Sequence, residues 1–182
     1  TFTYALMAGS IWKYDSASNV YKNYYSTLNS TFTSGSVIQS YNRSIIVYKL
    51  TSSSALVNAF VDSGSALSLL PNMLVSGFNA TPKIALSPQL SLVVIYGAST
   101  TQALNSIYYV DYTDKSIDNL DFPDDTVVDP SNVYISLEET WMYVRQLASS
   151  LQTPGDNEEL VYFIKYNSFL IFAKSQSISS SD

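Results

Sequence analysis

The sequence contains no cysteine and no histidine among its 182 residues. A Ser-His-Asp triad, a cysteine nucleophile and a histidine-based metal site are therefore excluded. Because the chain has no cysteine, it also has no disulfide that would indicate an oxidising compartment.

Charge is scarce as well. Charged residues make up 13% of the chain, about half of the roughly 25% that is usual in soluble domains. Fifteen Asp and Glu against nine Lys and Arg give a net charge of −6. The basic residues are scattered and form no basic patch, so we expect no nucleic-acid partner. No apolar run approaches the roughly 18 residues of a transmembrane helix, so we expect no membrane span.

Apolar residues are plentiful at 46%, and 15 of the residues are tyrosine. They occur in many short runs of strand character, such as 44–50, 90–97, 106–112 and 132–137. Two further runs, 159–166 and 168–174, flank Asn167 and predict a hairpin. The fold class predicted is mainly β, an antiparallel β-sandwich of jelly-roll-like or Ig-like type with one or two short helices.

The helices are predicted from two segments. Residues 136–151 combine a capping-box pattern, Ser136 with Glu139, with apolar residues at helical spacing, namely Leu137, Trp141, Val144, Leu147 and Leu151. Residues 51–64 fit a helix or a strand equally well.

A possible catalytic motif follows an apolar run. The stretch "LVNAFVDSGSALSLL" resembles the active-site strand and turn of retroviral-type aspartic proteases, and the resemblance implies that Asp62, Ser63 and Gly64 form the catalytic turn. That chemistry needs two carboxylates sharing a proton, and the chain has no second such motif, so the enzyme would be a homodimer. The alternative interpretation is an ordinary turn, for which Asp, Ser and Gly are common residues.

Acidic residues are concentrated in 111–129. Their oxygens could bind Ca²⁺, and the candidate ligands are Asp111, Asp114, Asp118 and Asp121. The spacing is not that of an EF-hand loop, so a solvated acidic loop is the alternative. No cofactor is expected.

Three sequons, at Asn29, Asn42 and Asn79, are candidate sites for N-linked glycans and favour an extracellular location. The low charge has a related interpretation. A protein that depends little on carboxylate ion pairs loses little stability in acid, so we expect a protein exposed to an acidic exterior.

The N-terminal segment "TFTYALMAGS" alternates apolar side chains at Phe2, Tyr4, Leu6 and Ala8. Such a strand could leave its own domain and complete the sheet of a neighbour. It could equally pair within its own sheet. We therefore divide the chain into an N-terminal strand or tail (1–12), a β-rich head (13–174) and a flexible tail (175–182).

In its low charge, its abundance of hydroxyl side chains and tyrosines, its sequons and an expected processed N-terminus, the chain resembles extracellular structural proteins of thermoacidophilic archaea. These include thread or pilus subunits assembled by donor-strand complementation and coat proteins of viruses that infect such cells. The resemblance implies a glycosylated filament subunit that polymerises with copies of itself. The alternatives are a jelly-roll coat or spike protein and an acid-active aspartic endopeptidase.

Overall fold

The computed structural model describes residues 2–26, 28, 32, 34–98, 104–121, 133–138, 141–146, 158–165 and 168–174. Strands make up most of these residues, and none of them is in an α-helix. The predicted class, mainly β with antiparallel sheets packed on one another, is confirmed. Within the described part of the chain, no helix is long and apolar enough to cross a membrane.

The strands that the structure describes form four antiparallel sheets, which follow one another along the chain. The first sheet contains β1 (Tyr4–Met7), β2 (Ser10–Asp15) and β3 (Val20–Tyr25). The second contains β4 (Ser36–Tyr41), β5 (Ser44–Leu50) and β6 (Ser54–Asp62), with β7 (Leu67–Leu69) and β8 (Met73–Ser76) both paired to β6. The third contains β9 (Lys83–Leu86), β10 (Leu92–Gly97), β11 (Leu104–Asp111) and β12 (Ser116–Asp121). The fourth contains β13 (Val133–Leu137), β14 (Trp141–Gln146), β15 (Glu158–Lys165) and β16 (Ser168–Lys174).

Each sheet packs face to face on the next. Ile11 of the first sheet meets Ile45, Val47 and Phe60 of the second in one core cluster. The opposite face of the second sheet, with Ile46, Val57 and Ala59, meets Val93 and Ile95 of the third. The remaining face of the third, with Leu92, Val94 and Ile107, meets Ile135, Leu137 and Met142 of the fourth. The second and third sheets are therefore covered on both faces.

Coverage on both faces explains the continuous apolar runs. Side chains alternate between the two faces of a sheet along each strand. A strand in a sheet that is covered by other sheets on both faces therefore needs apolar residues at every position. The runs "IIV" in β5 and "LVVIY" in β10 meet this requirement, and all their residues are buried.

Most of the predicted strands are confirmed, and the ambiguous segment 51–64 contains β6. The proposed hairpin around Asn167 corresponds to the pair β15 and β16; Asn167 itself lies outside the described residues, as does the predicted tail 175–182. The proposed boundary at residue 12 lies within β2, which continues to Asp15.

The predicted helix at 136–151 is wrong where the structure describes that segment. The chain forms β13 and β14 instead, with Leu137 opposite Met142 and Ile135 opposite Val144. Burial alternates with a period of two: Ile135, Leu137 and Met142 are buried, whereas Tyr134, Trp141 and Tyr143 are exposed. The helical spacing of Leu137, Trp141 and Val144 was therefore coincidental; Leu147 and Leu151 lie outside the described residues.

This correction can be tested with two neighbouring substitutions. Met142→Ala removes a fully buried side chain and should lower the free energy of unfolding by about 2–4 kcal/mol. Tyr143→Ala, on the more exposed face of the same strand, should lower it by less, about 1 kcal/mol. Urea denaturation measures both. In the strand, Met142→Ala should cost more than Trp141→Ala, because Met142 is buried and Trp141 is partly exposed. A helix with Trp141 and Val144 in the core would make Trp141→Ala the costlier of the two.

Candidate functional site

The Asp-Ser-Gly motif forms the turn between β6 and β7. Asp62 is the last residue of β6, and the Ser63 N–H donates to the carbonyl of Ala66 at 3.0 Å. Gly64 has a φ of +99°, which disfavours residues with a side chain. Its N–H donates to Asp62 Oδ1 at 2.6 Å. The motif therefore closes a hairpin, as the alternative interpretation of the sequence expected.

The Asp62 side chain enters the interface between the first two sheets, where it is fully buried. Three side chains of the first sheet donate to it, one from each strand. Tyr4 Oη lies 2.5 Å from Oδ2, Lys13 Nζ lies 2.6 Å from Oδ2, and Tyr24 Oη lies 2.7 Å from Oδ1. We call Asp62, Tyr4, Lys13 and Tyr24 the Asp62 cluster.

This geometry uses the whole acceptor capacity of the carboxylate. An ionised carboxylate offers about four lone-pair sites, and each Asp62 oxygen accepts two hydrogen bonds. A catalytic dyad needs a second carboxylate about 3 Å away and a water between them. In this arrangement neither has room beside Asp62, so the aspartic protease hypothesis requires the cluster to open first.

Aromatic rings surround the cation of the cluster. Lys13 Nζ lies 4.7 Å from the ring centroids of Phe2 and Tyr24, and the Arg43 guanidinium lies 5.5 Å from that of Phe2. Cation–π contacts of this kind add to the ion pair with Asp62. These contacts tie Phe2, which precedes β1, to Lys13 of β2 and to Arg43 in the turn between β4 and β5.

The cluster shifts the pKa values of its members. Burial raises the pKa of the Asp62 carboxyl, but the hydrogen bonds from Lys13, Tyr4, Tyr24 and the Gly64 N–H outweigh it and lower the pKa from 3.8 to about 2. Burial and the bond to Asp62 raise the pKa of Tyr24 to about 12 and that of Tyr4 further still. The carboxylate is therefore charged and both phenols are neutral over the usual pH range.

The N-terminal strand pairs with its own chain. Tyr4 and Leu6 face the second sheet as the alternation predicted, and Tyr4 is buried there. Phe2 precedes β1, and Ala8 lies beyond it in a two-residue turn with Gly9. Ala8 has a φ of +48°, a left-handed conformation that is strained for a residue with a side chain.

Two of the three sequons lie on exposed turns. Asn42 follows β4 in the turn to β5, and Asn79 lies in a bend where its N–H donates to the carbonyl of Ala98. Asn29 lies outside the described residues.

In the described part of the Asp-rich stretch, residues 111–121, the acidic side chains do not gather into a metal site. Asp111 Oδ1 accepts the N–H groups of Thr113 and Asp114, and Asp114 Oδ1 accepts that of Ser116, so both acids shape the β11–β12 turn. Asp118 and Asp121 lie along β12, opposite Tyr109 and Ser106. Across the described ranges, no three acidic side chains are grouped so that they could hold a metal ion.

Lys13 and Tyr24 are the site residues that the sequence did not reveal. They lie 49 and 38 positions before Asp62, and no local pattern connects them to it. The one local signal was Asp two residues before Gly, which is typical of a side chain that bonds to its own turn.

No protein-family model matches the chain, and no curated protein matches it.

Removing the Asp62 charge should destabilise the fold. In Asp62→Asn, Lys13 loses its carboxylate partner in a largely desolvated site, so we expect the free energy of unfolding to fall by about 3 kcal/mol. Ser63→Ala, in the exposed part of the same turn, is the matched control and should cost less than about 1 kcal/mol. Urea denaturation at pH 7 measures both, and equal costs would contradict the role assigned to Asp62.

The same substitution isolates a pH dependence. Because the pKa of Asp62 is lower in the folded chain than its ordinary value, its contribution is complete above about pH 4 and is lost as the pH falls toward about 2. The urea midpoint of the parent protein should therefore fall over this window by more than that of Asp62→Asn. Parallel curves for the two proteins would contradict the lowered pKa.

Proposed function

We propose that the chain is a structural subunit of an extracellular filament, in which β1 of one copy pairs with β2 of the next. The acceptor site in this arrangement is the edge of β2 together with the buried Asp62. Tyr4 of the incoming strand would donate to Asp62 of the receiving copy, as it does within one chain. Every contact of the closed form is thereby kept in the exchanged form.

The position of β1 supports exchange. It is an edge strand of its sheet and has β2 as its hydrogen-bonded neighbour. A terminal edge strand can be replaced by the same strand of another copy at little cost in contacts, which is the basis of domain swapping. Successive exchange from copy to copy is head-to-tail and propagates as a filament unless the rotation between copies closes a ring.

The turn at Ala8 is the observation that carries the proposal. The closed hairpin holds Ala8 at a φ of +48°, a conformation that costs about 1–2 kcal/mol for a residue with a Cβ. An extended linker between β1 and β2 removes this strain. Since the other contacts are equal in the two forms, the strain favours exchange once the protein is concentrated.

Surface features agree with an extracellular assembly. Asn42 and Asn79 are exposed on turns, where a glycan can be attached. The low charge of the chain suits an acidic exterior, since a chain with few ionised carboxylates loses little stability when they are protonated.

A coat or spike protein is the second candidate, favoured by a different observation. Tyr134, Trp141 and Tyr143 are exposed on one face of the fourth sheet. Exposed aromatic groups of this kind are typical of surfaces that meet other proteins. Assembly through such a face would not require exchange of β1.

A cysteine pair tests strand exchange directly, because the chain has no cysteine of its own. Met7 and Ser10 are opposite each other in β1 and β2, within the distance that a disulfide spans. After assembly and oxidation, the double variant Met7→Cys/Ser10→Cys should give a ladder of covalently linked chains on a non-reducing gel. Each single variant is a control and should give no band larger than two chains.

A substitution at Ala8, in the turn between β1 and β2, supplies the matched control for this experiment. Ala8→Gly accepts the left-handed conformation without strain, so it should favour the closed hairpin by about 1 kcal/mol, or about fivefold. The ladder of covalently linked chains should therefore be weaker when Ala8→Gly is added to Met7→Cys/Ser10→Cys. Assemblies whose disulfides all lie within single chains would overturn the proposal.

A further inference from the structure

Two aromatic side chains hold the first strand of the chain at the Asp62 cluster. Tyr4 of β1 donates to Asp62 Oδ2, and the ring of Phe2, which precedes β1, lies 4.7 Å from Lys13 Nζ. Leu6 adds an apolar contact with the core layer between the first two sheets. The polar part of the attachment therefore converges on one carboxylate, directly through Tyr4 and indirectly through Lys13, which is paired with Asp62.

The Asp62 carboxylate is bonded by donors. Tyr4, Lys13, Tyr24 and the Gly64 N–H all donate to it, and each of its oxygens accepts two of these bonds. A protonated carboxyl carries a hydrogen of its own and has correspondingly less acceptor capacity. An ammonium group and a backbone N–H cannot accept that hydrogen. Protonation of Asp62 therefore breaks or reverses at least one of the four bonds.

Both attachments of β1 weaken when Asp62 is protonated. A hydrogen bond from Tyr4 to a neutral carboxyl is roughly half as strong as one to a carboxylate. Lys13 loses its counter-ion at a place where its side chain is only 18% exposed, so its charge is favoured to move toward water. That movement takes the ammonium away from the ring of Phe2. The Arg43 guanidinium, 5.5 Å from the same ring, keeps its contact.

We propose that the Asp62 carboxylate is an acid-sensitive latch for β1. The ionised carboxylate holds the strand in its hairpin, and protonation releases the strand while the rest of the fold stays closed. The charged and titratable groups that surround the latch come from four elements: Tyr4 on β1, Lys13 on β2, Tyr24 on β3, and Arg43 in the turn between β4 and β5.

The release concerns β1 because that strand has the weakest attachment in the first sheet. It has four residues and lies at the edge, paired to β2 alone. In contrast, β2 is paired on both sides and contributes Ile11 to the apolar layer. Terminal elements with few contacts open at lower free energy than core strands. Since the pKa of Asp62 is lowered to about 2, β1 is fully held above about pH 4 and is released as the pH falls toward about 2.

For a filament, the latch controls the rate of strand exchange and not its outcome; this consequence rests on the proposed function. Tyr4 bonds to Asp62 in the closed form and would do so in the exchanged form, so protonation favours neither of them. It speeds the passage between them, because β1 must leave Asp62 before it can reach another copy. A brief exposure to acid followed by a return to neutral pH would therefore allow exchange and then fix the result.

Amide hydrogen exchange of the unassembled protein tests the latch without any need for filaments. Protection factors of β1, corrected for the intrinsic exchange rate at each pH, should fall about tenfold or more between about pH 5 and about pH 2. The buried strand β10 should keep its protection over the same range. Unchanged protection of β1, or an equal loss in β1 and β10 or in β1 and β3, would overturn the latch.

Two phenol substitutions separate the latch from a general loss of stability. Tyr4→Phe removes the bond from β1, so the protection of β1 at neutral pH should fall by about tenfold or more and respond little to acid. Tyr24→Phe removes the matching bond from β3. In that variant β1 should keep its acid response, displaced to higher pH because Asp62 has lost a donor that lowers its pKa. The same acid response in the parent and both variants would contradict the assignment of Tyr4.

The covalent ladder of Met7→Cys/Ser10→Cys reports on strand exchange separately. Exposure to about pH 2 and then oxidation at neutral pH should raise the proportion of linked chains severalfold over a sample that is kept neutral throughout. If β1 is released in acid but every disulfide lies within a single chain, the latch is supported and strand exchange is overturned. A ladder of equal strength with and without the acid step overturns control of exchange by Asp62.

Discussion

The carboxylate of Asp62 lies between two sheets whose shared core layer is mainly apolar. It takes one hydrogen bond from each strand of the first sheet, through Tyr4, Lys13 and Tyr24, and one from its own turn. Apolar layers are tolerant of small shifts, but a charge buried without its donors costs several kcal/mol. The cluster therefore fixes which residues of β1 and β2 face inward, and with them the register of the first sheet.

Burial on both faces accounts for the unusual composition. Sheets with one solvated face alternate apolar and polar residues, but the second and third sheets leave few positions for charge. The remaining polarity lies in turns and edges, where hydroxyl and amide groups bond to nearby backbone, as Ser87 does to the N–H of Leu92. Such groups do not titrate in acid, whereas Asp62 does, and its bonds make the stability of the fold depend on its charge at low pH. Its low pKa extends that support toward pH 2.

Local pattern predicted the strands well where burial is complete, as in 44–50, which matches β5 at both ends. It failed at 136–151, because a few apolar residues can satisfy helical and strand spacing at once, and the choice was made by pairing with β15, which is distant in sequence. The Asp62 cluster shows the same limit. The turn at Asp62, Ser63 and Gly64 has a local signature, whereas the approach of Lys13 and Tyr24 depends on how two sheets pack, which no local spacing encodes.

The register of the first sheet depends on the ion pair between Lys13 and Asp62. Side chains alternate between the faces of a strand, so a shift of one residue exchanges its two faces. In β2 such a shift would turn Trp12 toward Asp62 and Lys13 away from it, which would leave a buried carboxylate without its cation. The ion pair between Lys13 and Asp62 thus determines that Lys13 faces the second sheet and that Trp12 faces the opposite side of the first sheet. In the proposed strand exchange, a strand donated by a neighbour would be restricted in the same way, since its Tyr4 would reach Asp62 in one register only.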